Sequence, residues 1–258
     1  MASELEALRR RVAQLEEENA TLKSRGAVDV SASIDALQRV FPAAPRASAR
    51  PDFFDDRSVY LFGYHPHGII SVGCFTQFAF DGSGASKLFP KLRFHCATLG
   101  FNFRIPFFRE LLLGLGIIEV SAKSIKNALS SGPGAAVVIV PGGAAESLDA
   151  SPAAARVLTL RKRNGFFRIA LQHGAKLVPV FSFGENDLYG VRGSNSATFG
   201  SPMPMRRPII TVVGDPIACP RIPEPTQEQI DDLKVQYIGG RLRLRQGRPG
   251  PAVLTIDK

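Results

Sequence analysis

From Val59 onward the chain alternates short apolar runs with runs of helical character, and glycine or proline stands at nearly every junction. VYLFGY, LRFHCATL, IIEVS, AAVVIVPGG, KLVPVFSFG and RRPIITVVGDPI read as strands. IISVGCFTQFAF, IPFFRELLLGLG, SIKNALSSG and a basic stretch from about Ala154 to His173 read as helices. Pro106 opens the second of these near its first turn, while Gly132 and Gly174 stop the last two. Strands this continuously apolar need cover on both faces, and helices of roughly ten residues between them supply it as crossover connections. The expected fold class is therefore α/β, a layered fold with a largely parallel sheet. Functional groups in such sheets collect beyond the carboxyl ends of the strands.

At the end of the first strand stand His65 and His67, separated by Pro66 and followed by Gly68. The chain has four histidines, so half of its imidazoles sit at the seam of its most apolar stretch. A neutral imidazole takes a proton from an attacking hydroxyl near neutral pH. Gly68 lets the backbone pack closely where the next helix begins, and N–H groups there can hold developing negative charge. Two other readings stay open. One is a hydrogen-bonded structural histidine; the other is a zinc site built from His-x-His with His95 and Cys96.

The strand AAVVIV ends in the turn Pro141-Gly142-Gly143, with Glu146 three residues beyond the second glycine. This carboxylate can orient a histidine or polarise an acceptor hydroxyl, or it can simply sit at a helix start beside the macrodipole. Arg161, Lys162, Arg163 and Arg168 flank Gly165, Phe166 and Phe167, a mixture suited to phosphates, to an anionic membrane surface or to plain solvation. FNFRIPFFRELLLGLGII has only Arg104, Arg109 and Glu110 as charges. It is expected in the core, with a lipid-dipping element as the alternative.

Residues 1–26 carry heptads, with Leu5, Val12 and Asn19 at a and Leu8, Leu15 and Leu22 at d. Leucine at d with one polar a position favours a parallel two-stranded coil, so a homodimer through residues 5–22 is expected. Residues 27–58 read as a linker whose prolines at 42, 45 and 51 prevent continuous helix. A body of alternating strands and helices follows over 59–237, and residues 238–258 read as a basic tail of low order. The net charge of +9 fits anionic cofactors or membrane surfaces as well as nucleic acid, but it is not gathered on an aromatic-bearing motif, so no nucleic-acid partner is expected. The first 25 residues are charged throughout, unlike a secretory signal, and no stretch reads as a convincing membrane span. The cysteines Cys74, Cys96 and Cys219 are odd in number and widely spaced, which argues against a disulfide framework.

FGYHPHG, PGGAAESLDA, RKRNGF and LVPVFSFGEND, in this order, resemble the type-2 diacylglycerol acyltransferase family with its monoacylglycerol and wax-ester relatives. The likeness runs from about Val59 to Tyr189 and resumes at RRPIITVVGDPI and PTQEQIDDL. It implies the glycerolipid-acyltransferase fold and an acyl-CoA-dependent transfer to a glycerolipid hydroxyl, with acyl-CoA as co-substrate and no metal or prosthetic group. It further implies residence at the endoplasmic reticulum membrane or lipid droplet, on the cytosolic face, peripherally bound for want of a clear span. Carried residue by residue, the likeness makes His67 the general base with His65 as support or substitute, and makes Glu146 an orienting carboxylate. Pro66 and Gly68 would set the turn. Gly142, Gly143, Arg163, Gly165 and Phe166 would line the substrates, with Arg163 holding coenzyme A phosphates. The brevity of VRGSNSATFGSPMPM before RRPI, and of the chain after PTQEQIDDL, is a departure from the family. It motivates an alternative, a non-catalytic partner dimerising through the coil.

Overall fold

The computed structural model describes residues 46–48, 51–81, 84–143, 156–158, 160, 163–189, 204–205, 207–246 and 254–256. The heptads, Glu146, Arg161, Lys162 and the segment 190–203 lie outside these residues. The strands are β1 (Arg46–Ser48), β2 (Tyr60–His65), β3 (Arg93–Thr98), β4 (Ile118–Glu119), β5 (Ala135–Ile139), β6 (Arg156–Leu158), β7 (Lys176–Phe183), β8 (Ile210–Val213) and β9 (Leu254–Ile256). The helices are α1 (Val72–Cys74, running on as a wider π turn over Phe75–Ala79), α2 (Ala85–Leu88), α3 (Phe108–Gly114), α4 (Ala122–Leu129), α5 (Asn164–His173) and α6 (Gln227–Gln246).

Seven strands form one sheet in the order β1-β8-β7-β2-β5-β3-β4. From β7 through β4 every pairing is parallel, whereas β8 runs antiparallel to β7 and carries β1 parallel to itself. The expected largely parallel sheet is what forms, and its reason is visible along β2, all six residues of which are buried. Successive side chains on a strand point to opposite faces. Tyr60, Phe62 and Tyr64 accordingly join Phe54, Phe78 and Phe89 in one apolar layer. Leu61 joins Phe167, Leu177, Ile230 and Tyr237 in the other. Helix α6 closes this second layer with Ile230, Leu233 and Tyr237, spaced three and four apart along one face.

Four sequence expectations are corrected. The body reaches back beyond Val59: β1 pairs with β8, Phe54 packs among Tyr60, Phe62 and Phe89, and the Asp55 carboxylate holds Lys176 at 2.7 Å. The basic helix begins at Asn164, not near Ala154, because Arg156–Leu158 is extended and pairs with β9. The residues from 238 are not a tail throughout, since α6 continues to Gln246. Gly239 and Gly240 do not break it; Gly240 lies where the helix passes Ile217 and Pro179, and the Leu and Arg residues beyond are good helix formers. Lastly, the greasy segment after β3 is core only in part, through Leu112 and Ile117, with Phe103 and Leu115 packed beside them. Leu99, Phe101 and Phe107 are 64%, 67% and 85% exposed, and of α3 only Leu112 is buried.

Candidate active site

Strand register brings three turns together. Gly63 pairs with Ile139 and His65 with Phe181, so β5, β2 and β7 end side by side, about 4.8 Å apart. The turns Pro141–Gly143, Pro66–Gly68 and Gly184–Asp187 therefore line one carboxyl edge of the sheet. The expected meeting of the His-Pro-His-Gly and Pro-Gly-Gly turns is realised, with a third turn that the sequence offered as part of the LVPVFSFGEND motif but not as part of the site.

The two histidines differ sharply. His65 is the last residue of β2, on the face opposite Tyr64, and is fully buried. The Tyr237 hydroxyl donates to the Gly63 carbonyl at 3.0 Å and lies 3.1 Å from His65 Nε2. A hydroxyl has one proton, so at this contact His65 Nε2–H donates and the tyrosine oxygen accepts. Glycine at 63 is required here, because a Cβ would land on the Tyr237 hydroxyl. His67 lies beyond the strand, after a cis peptide at Pro66, and is only partly buried. Its Nδ1–H donates to the Gly68 carbonyl at 3.1 Å, which puts the lone pair on Nε2. Burial lowers its pKa below the ordinary imidazole value, opposed by the Gly68 carbonyl, so the ring is neutral near pH 7.

Behind this turn lies Glu185, 2% exposed, which neither charge pattern nor motif spacing had marked as a site residue. Its carboxylate accepts the Tyr64 hydroxyl at 2.7 Å and the Gly73 N–H at 3.1 and 3.2 Å, and the Val72 N–H also bonds to it. Burial nonetheless raises its pKa from 4.5 to about 7 against these donors. Gly68, at φ 58°, passes so near that a Cβ would come within 2.8 Å of Glu185 Cγ. The N–H groups at the start of α1, which the sequence suggested could hold developing negative charge, already hold this carboxylate. The signal that could have found it is its position: a carboxylate directly after a buried apolar strand and a glycine.

The model of the diacylglycerol acyltransferase family matches residues 39–197 and 190–245. The chain belongs to this family. The family match begins before Val59, spans the stretch between Tyr189 and RRPI that the motifs left out, and runs on to residue 245, so the likeness is longer than the motifs alone suggested. Diacylglycerol O-acyltransferase 2 of Dictyostelium discoideum is 41% identical over 214 residues, covering 72% of this chain and 64% of the relative. The Homo sapiens protein of the same name is 41% identical over 234 residues, covering 77% and 60%. That of Danio rerio is 44% identical over 209 residues, covering 69% and 58%. The matched part thus spans less than two thirds of each relative. Among solved structures, the 1-acyl-sn-glycerophosphate acyltransferase of Thermotoga maritima superposes with a TM-score of 0.50 at 9% identity, over 84% of this chain and 81% of that one. This likeness establishes the glycerolipid-acyltransferase-like fold.

Within this family framework the remaining candidates separate. Arg163 reaches the Pro-Gly-Gly turn, donating from Nη2 to the Gly142 carbonyl at 3.1 Å, and Gly143 adopts φ 58° beside it. Gly165 is exposed on the first turn of α5. Phe166 is instead buried in the core, with its ring 5.4 Å from Tyr237 and 5.0 Å from Phe167. Among the described residues no three His, Cys, Asp or Glu side chains converge as a metal-binding group. His95, considered for zinc, lies 3.0 Å from the Gly116 carbonyl.

Proposed function

We propose that this chain transfers a fatty acyl group from acyl-CoA to the free hydroxyl of diacylglycerol, with His67 as general base. The observation that carries the assignment is the state of that ring: neutral, at the lip of the turn, with its lone pair directed to Nε2 by the Gly68 carbonyl. Nε2 takes the acceptor's hydroxyl proton as the oxygen attacks the thioester carbonyl. The tetrahedral oxyanion collapses, the carbon–sulfur bond breaks, and the imidazolium returns its proton to the departing thiolate. Triacylglycerol and coenzyme A are the products, and general base catalysis contributes about 10²–10⁴-fold. His65 supports the turn from the core and does not reach substrate. The exposed Arg163, anchored on Gly142, is assigned to the coenzyme A phosphates with Gly143 and Gly165. Glu146 is assigned to orient the acceptor hydroxyl.

Both substrates are lipids, which suits attachment to the cytosolic face of the endoplasmic reticulum membrane or of a lipid droplet. No helix among the described residues is long and apolar enough to cross a membrane. Attachment is assigned to the exposed Leu99, Phe101, Phe107 and Leu113, with Arg104 and Arg109 beside them for anionic headgroups. This surface follows β3, two strands from β2 on the same sheet edge, so lipid would arrive on the side where His67 stands. A parallel coil through residues 5–22 would pair two copies. The test is triacylglycerol formation from labelled oleoyl-CoA and diacylglycerol in a host without its own neutral-lipid acyltransferases. Product from the unmodified chain that vanishes in His67→Ala supports the reading; equal product from both removes His67 as the base, and product from neither sinks the activity.

A further inference from the structure

We infer that Glu185 is the positioning residue of the His67 turn, a single buried carboxylate that grips both ends of the segment bearing the proposed base. The inference rests on the acyl-transfer reading of His67, and its structural half can be tested without it.

The segment from Tyr64 to Gly73 leaves the sheet, presents His67 and re-enters order as α1. Along it Gly68 and Ser71 both have positive φ, 58° and 54°, which glycine adopts freely but a serine rarely holds unaided. Something must fix this path. Ser71 Oγ donates to the His67 carbonyl at 2.9 Å, an internal tie that leaves the whole segment able to swing. Glu185 supplies the external tie. It takes the Tyr64 hydroxyl at one end and the Gly73 and Val72 N–H groups at the other, while Gly68 rests against its side chain in the middle. The two ends are thus referenced to β7, a rigid neighbour of β2, through one side chain. Gly68 and Gly73 are glycine for the same reason: a Cβ on Gly73 would overlap both the Glu185 carboxylate and the Tyr64 hydroxyl.

The carboxylate is the common acceptor of this site, although burial opposes its ionised form. Tyr64, Gly73 and Val72 each donate, and a carboxylic acid would add a fourth hydrogen among donors. The titratable groups facing Glu185 are Tyr64 from β2, Cys74 from α1 and Tyr189 beyond its own turn. Burial first raises the pKa of each; the Glu185 charge comes next for Tyr64 and Tyr189, while for Cys74 the neighbouring Cys96 precedes it. They stay protonated near neutrality, which leaves Glu185 and His67 as the groups that titrate there. Acid therefore acts twice here: it protonates the base, and it adds a hydrogen to the carboxylate that aims it, which re-sorts the bonds at the turn while the fold as a whole gains stability.

The experiment compares the full chain with Glu185→Gln and Glu185→Ala, by steady-state kinetics with oleoyl-CoA and diacylglycerol and by amide hydrogen exchange over residues 64–74. A turn displaced by an ångström costs about 10²-fold in kcat for Ala, with KM for oleoyl-CoA within about twofold. In the parent, the acid limb of log kcat against pH approaches a slope of about two, and Gln reduces it to about one. Exchange over 66–74 speeds at least about tenfold in Ala while the β5 amides keep parental protection. A merely structural glutamate would lower the folded fraction without altering that slope. Variants that fold, keep parental kcat and retain the steeper limb overturn the inference. If the unmodified chain makes no triacylglycerol, the activity reading fails by itself, and the exchange data alone decide whether Glu185 holds the turn.

Discussion

Tyr237→Phe tests the division of labour between the histidines. The substitution removes one oxygen from a fully buried ring whose hydroxyl donates to the Gly63 carbonyl and accepts from His65 Nε2–H. The ring itself still packs against Phe166 and Phe167 at 5.4 and 5.5 Å, so the apolar contribution is unchanged. What is lost is the partner of a buried imidazole N–H and a bond to a strand carbonyl. Leaving a buried polar group unsatisfied costs about 1–3 kcal/mol, and with two groups affected the expected loss is about 3 kcal/mol. For a domain of this size each kcal/mol moves Tm by about 2–4 °C, which gives a fall of about 6–12 °C. Thermal melting followed by circular dichroism on the purified chain measures it, with the exposed Val235→Ala on the same helix as a control. Activity per folded molecule, assayed well below the melt, stays within a few-fold of the parent, because His67 and not His65 moves the proton. A Tm within a degree of the parent would refute the hydrogen-bond argument. A collapse of kcat in fully folded protein would instead make His65 the base and Tyr237 its partner.

Other outcomes follow from the same geometry. His67→Ala lowers kcat by about 10²–10⁴-fold while leaving the melt unchanged, checked by the labelled-lipid assay beside circular dichroism. Glu185 sits at about 7 in the fold against 4.5 ordinarily, so the folded state binds more proton between those values and its stability falls as pH rises through them. That contribution is about 3 kcal/mol, read as a higher urea midpoint at pH 5 than at pH 8, and Glu185→Gln flattens it. Gly73→Ala forces a methyl onto the Glu185 carboxylate and destabilises by about 1–3 kcal/mol in the same denaturation assay. Phe101→Ser with Phe107→Ser removes two exposed rings from the proposed lipid-facing surface. Each ring buried in lipid is worth about 1.5–3 kcal/mol, so co-sedimentation with anionic vesicles weakens at least about tenfold.

Much of the fold was legible because it is written in local patterns. The continuous apolar runs at 60–65, 135–139 and 176–183 announce strands covered on both faces, and those strands form the centre of the sheet. The His-Pro-His-Gly and Pro-Gly-Gly turns were recognisable for the same reason. Pairings distant in sequence were not. Glu185 reaches Gly73 across 112 residues and Tyr237 reaches His65 across 172, and no spacing rule connects such positions. Phe107 misleads in another way: apolar composition is the mark of a core, yet this ring is 85% exposed with φ at 63°. Composition records what a side chain avoids, and water is not the only solvent a protein meets.

The reach of Tyr237 back to Gly63 and His65 also has a bearing on how the protein is made. At about 5–20 residues per second, the 172 positions between them take about 10–30 s to synthesise. Through that interval the histidine strand exists without the helix that covers it, and β7, its neighbour on one side, arrives only part-way through. The nascent chain therefore carries this fully buried strand with an open flank until α6 has been made, so the arrival of that helix, and not the first collapse, is what encloses the site.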